Sequence, residues 1–456
     1  MVKKEVKSVI LAAGKGTRMK SKLPKVLHKV CGKPMLRHVI DAARGVGSTR
    51  ELVVIGSGAE LVRQEITDVE FVLQSEQLGT GHAVLCTRDA LKNVDGTVMI
   101  LCGDTPLFTA ETLSKLVDEH KRAEVKATVL TAIMPDATGY GRIIRAEDGS
   151  FEKIVEHKDA SEDEKKIREV NSGIYCFDLK TLFAALDKVN NDNSQGEYYL
   201  TDVLSIIRSS GEKINAVIAD DFSETLGINS RQQLAVAEKI LRRRKNEQLM
   251  ADGVTLMDPG STFIDADVEI GRDTVIYPFT WIEGATKIGS DCVLGPNSRI
   301  QNMQIGDRVT MQFVYGHDCE VGDDVTVGPY VHIRPGTKIG AKVKIGNFVE
   351  VKNSNIGTGS KLPHLQYIGD CDMGSNVNLG CGTVTCNYDG KKKYRTVIGN
   401  NVFVGCNTNL VAPVEVEDGA YIGAGSTITK TVPKNNLAIA RARQQNFADW
   451  HDKRKG

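Results

Sequence analysis

The chain has 456 residues, more than one ordinary hydrophobic core organises, so two domains are expected. Its 58 Lys and Arg balance 58 Asp and Glu, which excludes a broad basic surface for nucleic acid or anionic membrane and leaves small molecules or protein as partners. Aromatic residues make up 5% of the chain and glycines number 44, a balance that suits tight backbone corners filled by Val and Ile.

No apolar run is long enough to span a membrane. Near the start, Lys3 and Lys4 precede the apolar run Val9 to Ala13, which is shorter than a signal-peptide core and is followed at once by charge. The expected location is the cytoplasm. The ten cysteines form no CxxC pair, and Cys292, Cys371, Cys381 and Cys406 are spread like small apolar fillers. Free thiols are therefore expected rather than a metal centre or disulfides.

Val6 to Ala13 reads as a buried strand that runs into Gly14-Lys15-Gly16-Thr17-Arg18-Met19 and then Leu23-Pro24-Lys25. Glycines let a phosphate approach the backbone N–H groups, and Arg18 and Lys25 supply positive charge. The same Gly-x-Gly also fits an ordinary strand-to-helix turn, and neither the Walker A pattern nor the dinucleotide GxGxxG is present. Glu51 to Gly56 and Val69 to Leu73 read as further strands. Gln74 and Gln77-Leu78-Gly79-Thr80-Gly81-His82-Ala83 follow, where Gln74 could pair with a base edge and Gly79-Thr80 could admit a planar ring. Thr97 to Leu101 is another strand and ends in Cys102-Gly103-Asp104. A carboxylate at that end of a parallel strand can hold Mg²⁺ against phosphates, or else cap a helix.

The string Leu11-Ala12-Ala13-Gly14-Lys15-Gly16-Thr17-Arg18-Met19 with Pro24-Lys25 resembles the signature of sugar-nucleotide pyrophosphorylases. Thr138 to Ile143, Ile154-Val155-Glu156 and Glu169 to Tyr175 resemble the sugar-contacting loops of the same enzymes. The resemblance implies that Gly141, Glu156 and Asn171 meet hexose hydroxyls and that Asn229 joins Asp104 on the metal. Ser230 to Met250 reads as a connecting helix, with Leu234, Ala237, Ile240 and Leu241 as its apolar stripe and Ser230 at its start. Its run Arg242-Arg243-Arg244-Lys245, with no aromatic interleaved, reads as a solvated face.

From Ile264 the sequence counts in sixes through Ile270, Ile276, Ile282, Ile288, Leu294 and Ile300. The count resumes at Val321, Val327, Ile333, Ile339, Ile345 and Val351, again at Ile356, Leu362 and Ile368, and finally from Ile398 to Ile428. That period repeats one apolar corner per side of a three-sided coil, the mark of a parallel β-helix of roughly ten coils. Residues 305–321, 351–356 and 379–398 break the count, and loops are expected to leave the prism there and build sites. Around the breaks lie His332, Arg334, Glu350, Lys352, His364, Tyr367, Asn378 and the stretch Cys386 to Lys393. Arg334 and Lys352 stand eighteen residues apart, one coil, so they should stack and could grip one phosphate. A histidine among such groups suits proton removal from an amine, although a lone histidine more often is a satisfied polar group.

Taken from residue 5 to 445, the chain resembles the bifunctional N-acetylglucosamine-1-phosphate uridyltransferase/glucosamine-1-phosphate N-acetyltransferase (GlmU) family. The resemblance implies an α/β Rossmann-like nucleotidyltransferase domain over 1–229, a helical linker over 230–250 and a left-handed parallel β-helix acetyltransferase domain over 251–456. It implies a homotrimer with Mg²⁺, acetyl-CoA and UTP, feeding cell-envelope synthesis. Leu11, Ala12, Ala13, Gly14, Lys25, Gln74, Gly79, Thr80, Gly103, Gly141, Glu156, Asn171 and Asn229 would bind UTP or UDP-N-acetylglucosamine, with Arg18 and Lys25 acting in catalysis. His364 would be the general base, and Arg334, Lys352, Tyr367, Asn378 and Lys393 would hold glucosamine 1-phosphate. Cys381, Asn387, Tyr388, Cys406, Ala424 and Arg441 would bind acetyl-CoA. Two departures stand out: Cys381 and Cys406 where Ala or Ser is more familiar, and Leu362-Pro363 in place of a smaller pair. Two other expectations remain open. One is a single-activity nucleotidyltransferase with a regulatory β-helix, as in ADP-glucose pyrophosphorylases, and the other is a non-catalytic hexapeptide scaffold.

Overall fold

The computed structural model describes residues 6–193 and 195–454, so Lys3 and Lys4 lie outside the described residues. The chain forms two compact units, Met1–Leu241 and Arg242–Gly456, and the division falls inside one helix, Arg231–Ala251. Among the described residues, no helix is long and apolar enough to cross a membrane. All ten cysteines are free thiols.

In the first unit the strand Val6–Ala12 alternates its side chains between two cores. Val6, Ile10 and Ala12 enter one with Leu36 and Leu116, while Val9 enters the other with Val84, Leu182 and Val203. A strand apolar on both faces must be covered on both, so helices flank the sheet on either side. The sheet runs Ile214–Ile218, Ala127–Ile133, Glu169–Asp178, Thr97–Cys102, Val6–Ala12, Ser48–Ile55 and Glu70–Leu73. Val6–Ala12 lies parallel to both its neighbours, and only Glu169–Asp178 runs antiparallel within this row. The parallel strands therefore deliver their C-terminal ends to one edge, which carries Gly14, Gln74, Gly103 and Asp104. Two of the three segments expected as sugar-contacting loops are largely strand: Phe151–Val155, and Glu169–Asp178 with a register shift between Asn171 and Ile174. Pairing with Arg142–Arg145 holds Phe151–Val155 extended, Glu169–Asp178 is paired on both sides, and the shift leaves Ser172 and Gly173 out of the ladder to Ala127–Ile133.

The second unit is a parallel β-helix. Each coil contributes one short strand to a nine-stranded sheet, and its other sides make up a nineteen-stranded one. Ile264 pairs with Ile282 and Ile270 with Ile288, the eighteen-residue coil the sixes require. The counted residues fill one continuous core from Ile264 to Ile428, and only Ile270, on the first full coil, is partly buried. The breaks differ in kind. Ile305 pairs with Val321 and Ile345 with Leu362, so these coils are shortened to sixteen and seventeen residues and no loop leaves them. Only the third break inserts chain: Thr385 pairs with Leu410, and the extra residues form a loop closed by a Tyr388–Lys393 bridge. Dropping a residue at a corner keeps the apolar side chains inward, so a shortened coil costs no burial.

Candidate functional site

At the sheet edge of the first unit, Leu11, Ala12, Ala13, Gly14, Lys25, Gln74, Gly79 and Thr80 line a cavity of about 260 Å³ together with Cys102 and Asp104. The loop after the first strand can fold this tightly because Gly16 takes φ 59°, and a Cβ there would sit 2.6 Å from that of Lys25. Lys25 is drawn onto Asp104 in a close ion pair and also donates to Asn229 Oδ1 at 2.9 Å. The Ile228 N–H donates to Asp104 O at 2.9 Å, which brings the distant Asn229 segment to this strand end. Asp104 is not a helix cap; Thr109 caps the helix that follows, accepting from the Thr112 N–H at 3.1 Å. Gly103 donates its N–H to Leu11 O at 2.9 Å and closes the edge between the two strands. Gln74 is buried, and its amide nitrogen already meets Gly79 O at 3.1 Å and His82 Nδ1 at 3.0 Å. Cys102, walled in on all but the cavity side, has its thiol pushed up to about 12 by burial, with the Asp104 charge adding to it. It remains a neutral thiol.

A second cavity in the same unit, of about 560 Å³, shares Thr80 and Glu197 with the first and is lined by Arg18, Glu156, Asn171 and Tyr175. Gly141 accepts the Asn171 N–H at 2.9 Å, and a Cβ on it would come within 3.3 Å of Glu156 Oε1, so the three residues converge. Loss of water around its carboxyl, with Asp159 and Asp202 nearby, pushes the pKa of Glu156 up. Tyr175 was not foreseen: its hydroxyl lies 2.8 Å from Asn171 Nδ2. Two oxygen donors, Asp104 and Asn229, already converge on one cation, the Lys25 ammonium, and such hard donors fit Mg²⁺. No cluster of three or more His, Cys, Asp or Glu able to hold a metal occurs among the described residues.

On the β-helix the one-coil spacing holds. The Arg334 N–H donates to Val351 O at 2.8 Å, continuing the pairing of Ile333 with Val351, so Arg334 and Lys352 occupy adjacent positions on successive coils. Arg334 pairs with Glu350 at 2.8 Å and Lys352 with Asp370 at 3.4 Å. Lys393, on the inserted loop, comes against Lys352. That contact and the charge of Lys352, with Arg334 adding to it, lower the Lys393 pKa. Asp370 is the hub of the cluster, 5% exposed, and accepts from Asn353 Nδ2 at 2.6 Å and from Asn387 Nδ2 as well as from Lys352. Asn387 also reaches the Tyr367 hydroxyl at 3.4 Å. Burial pushes Asp370 up, and the hydrogen bonds from Asn353 and Asn387 with the Lys352 charge outweigh it and hold its carboxyl below the usual range. Three cations, Arg334, Lys352 and Lys393, gathered about two carboxylates, Glu350 and Asp370, form a ready seat for an anion.

His364 is exposed, and its Nδ1 lies 2.7 Å from Asn347 Oδ1. Asn378 pairs in register with Lys361, on the coil next to His364 but three positions earlier along the strand. Cys381, Cys406 and Ala424 form one column: the Asn407 N–H donates to Cys381 O at 2.7 Å, and the Gly425 N–H to Cys406 O at 2.8 Å. Arg441 continues the column, its guanidinium donating to Ala424 O at 2.8 Å. Tyr388 is exposed on the inserted loop. Leu362 of the unusual Leu362-Pro363 pair is fully buried in the core. A groove of about 750 Å³, lined by Tyr315, His332, Glu350 and Gln366, meets the cation cluster at Tyr367.

Residues 8–148 match the MobA-like NTP transferase domain, and residues 318–353 and 395–430 match the bacterial transferase hexapeptide (six repeats). The chain is 56% identical over 450 residues to the bifunctional protein GlmU of Geobacillus thermodenitrificans (strain NG80-2), covering 98% of each chain. It is 55% identical over 449 residues to the bifunctional protein GlmU of Clostridium beijerinckii, again covering 98% of each. With two transferase units in the same order and near-complete coverage, the chain belongs to the bifunctional GlmU family.

Proposed function

We propose that the chain acetylates glucosamine 1-phosphate with acetyl-CoA on its β-helix and, in its first unit, transfers UMP from UTP to N-acetylglucosamine 1-phosphate with release of pyrophosphate. The observation that carries this reading is the presence, in one chain, of two separate charged sites: Lys25 with Asp104 and Asn229, and Arg334, Lys352 and Lys393 around Asp370, with His364 on the same strand as Tyr367.

For acetyl transfer, Arg334, Lys352 and Lys393 would take the phosphate, which relieves their mutual repulsion, with Tyr367 and Asn378 on the sugar. His364 would accept the amine proton as the amine attacks the thioester. The column of Cys381, Cys406, Ala424 and Arg441 would carry acetyl-CoA, with Asn387 and Tyr388 at its reacting end.

For uridylyl transfer, the sugar phosphate attacks the α-phosphorus in line and no protein nucleophile is needed. Leu11 to Gly14, Gly79, Thr80 and Gly103 would frame the nucleotide. Gln74, its amide nitrogen already engaged, would offer its oxygen to a base N–H. Gly141, Glu156 and Asn171 would hold the sugar. Lys25 and Arg18 would offset charge on the transferring group. Mg²⁺ on Asp104 and Asn229 would neutralise developing phosphate charge. UDP-N-acetylglucosamine, a cytoplasmic precursor of bacterial cell-envelope polymers, would be the product.

The test is a paired assay, thiol release from acetyl-CoA with glucosamine 1-phosphate, and pyrophosphate release from UTP with N-acetylglucosamine 1-phosphate and Mg²⁺. Lys25→Ala should cut pyrophosphate release by roughly a hundredfold or more and spare thiol release, and His364→Ala should do the reverse. Loss of both activities from either change refutes the assignment of the sites. Pyrophosphate release alone from the unaltered protein would favour a regulatory β-helix.

A further inference from the structure

Asn347 and His364 sit opposite each other on adjacent coils, with Asn347 Oδ1 2.7 Å from His364 Nδ1. The pairing depends on a coil of seventeen residues, and on Gly346, where a Cβ would stand 1.9 Å from Pro363 O. Each of the two residues is followed by one in the left-handed region, Phe348 at φ 58° and Leu365 at φ 44°, so both side chains leave the prism at the same corner. An amide oxygen only accepts, so this contact requires the proton on Nδ1 and leaves the lone pair on Nε2.

We propose that Asn347 is a positioning residue for acetyl transfer, holding the His364 ring with Nδ1 protonated and Nε2 free to take the proton of the attacking amine. This inference rests on the reading of His364 as the base. As the amine nitrogen bonds to the thioester carbon, its proton passes to Nε2. The C–S bond then breaks, and the departing thiolate takes that proton from the imidazolium. His364 is restored, and Nδ1–H stays on Asn347 throughout. A neutral amide orients the ring without adding charge, whereas a carboxylate would also favour the imidazolium.

The experiment compares Asn347→Asp, Asn347→Ala and His364→Ala in the full chain. Thiol release is followed against pH and glucosamine 1-phosphate concentration, and pyrophosphate release serves as a control for folding. Asn347→Asp keeps the acceptor, so activity should stay within about tenfold while the acid limb of kcat/KM moves up by roughly one pH unit. The charged residues of the two strands, Lys344, Glu350, Lys352 and Lys361, are common to all variants, so the shift reads the new carboxylate. Asn347→Ala should lower kcat about ten- to a hundredfold with KM for the sugar phosphate unchanged. Asn347→Asp as impaired as Asn347→Ala, with an unmoved acid limb, overturns the proposal. Asn347 variants that match the unaltered protein while His364→Ala is inactive overturn the positioning role and leave the base in place. Thiol release that survives His364→Ala overturns the base, and this inference with it.

Discussion

Asp370 has three donors around a nearly sealed carboxylate, and its removal leaves Lys352 against Lys393 without its own ion-pair partner, while Arg334 keeps Glu350. Asp370→Ala is expected to destabilise the β-helix by roughly 2–4 kcal/mol in denaturant titration and to abolish thiol release, because Asn387 and Lys352 both lose their anchor. Its folded pKa lies below the ordinary carboxylate value, so its stabilising share is fully present above about pH 4. That share disappears as the pH falls through the lowered folded value, and in Asp370→Asn the acid midpoint should lose this contribution. Asp370 was within reach of the sequence, since it stands eighteen residues beyond Lys352 as Lys352 does beyond Arg334, although the shortened coil pairs Lys352 with the neighbouring Gly369. It went unread because a carboxylate at a phosphate seat has the wrong sign for a ligand and the right sign only for a support. Asn347 was out of reach: its partner lies seventeen residues on, and only the shortened coil makes them neighbours. Tyr175 was hidden by the register shift that sets its hydroxyl beside Asn171.

The six-residue count identifies buried positions in the β-helix, and a side chain's worth depends on which coil carries it. Ile276 is fully buried between two coils, whereas Ile270 is partly open near the end of the stack. Ile276→Ala should therefore cost roughly 2–5 kcal/mol in denaturant unfolding of the β-helix, and Ile270→Ala markedly less. Equal costs would mean that the terminal coil is covered by something beyond this chain's own core. The connecting helix behaves in two halves. Ser230 caps its start, accepting the Gln233 N–H at 3.2 Å, and Ala237 packs among Val30, Met35 and Ile228. Farther along, Asn246 donates to Pro259 O at 2.9 Å and Leu249 joins the β-helix core. The apolar stripe was legible from its spacing, but which body each half would join was not.

Across the whole molecule, one corner of the β-helix carries Tyr330, Phe348 and Leu365, each more than half exposed, with the Tyr330 and Phe348 rings stacked at 5.3 Å. Such a ladder is an exposed apolar surface of the kind another copy can cover, and the homotrimer that the resemblance implies would bury the corner of each copy against another. Sedimentation should give three times the chain mass, and Tyr330→Lys combined with Phe348→Lys should shift it toward the monomer. A protein that sediments as a monomer before any substitution would refute the trimer.

The sequence by itself determined the two architectures, because hydrophobic periodicity is a local property: strands apolar on both faces in the first unit and an aliphatic corner every sixth residue in the second. It also placed the glycine-rich turn, Lys25, Asp104 and the Arg334–Lys352 pair, since each follows from a motif or a fixed repeat. Only the tertiary structure decided which breaks in the repeat are shortened coils and which is a loop, because both appear in sequence as the same loss of register. That decision sets the partners of His364, Asp370 and Lys393. A side chain's neighbours across coils depend on the summed length of everything between them, and one residue more or less turns each to a different companion.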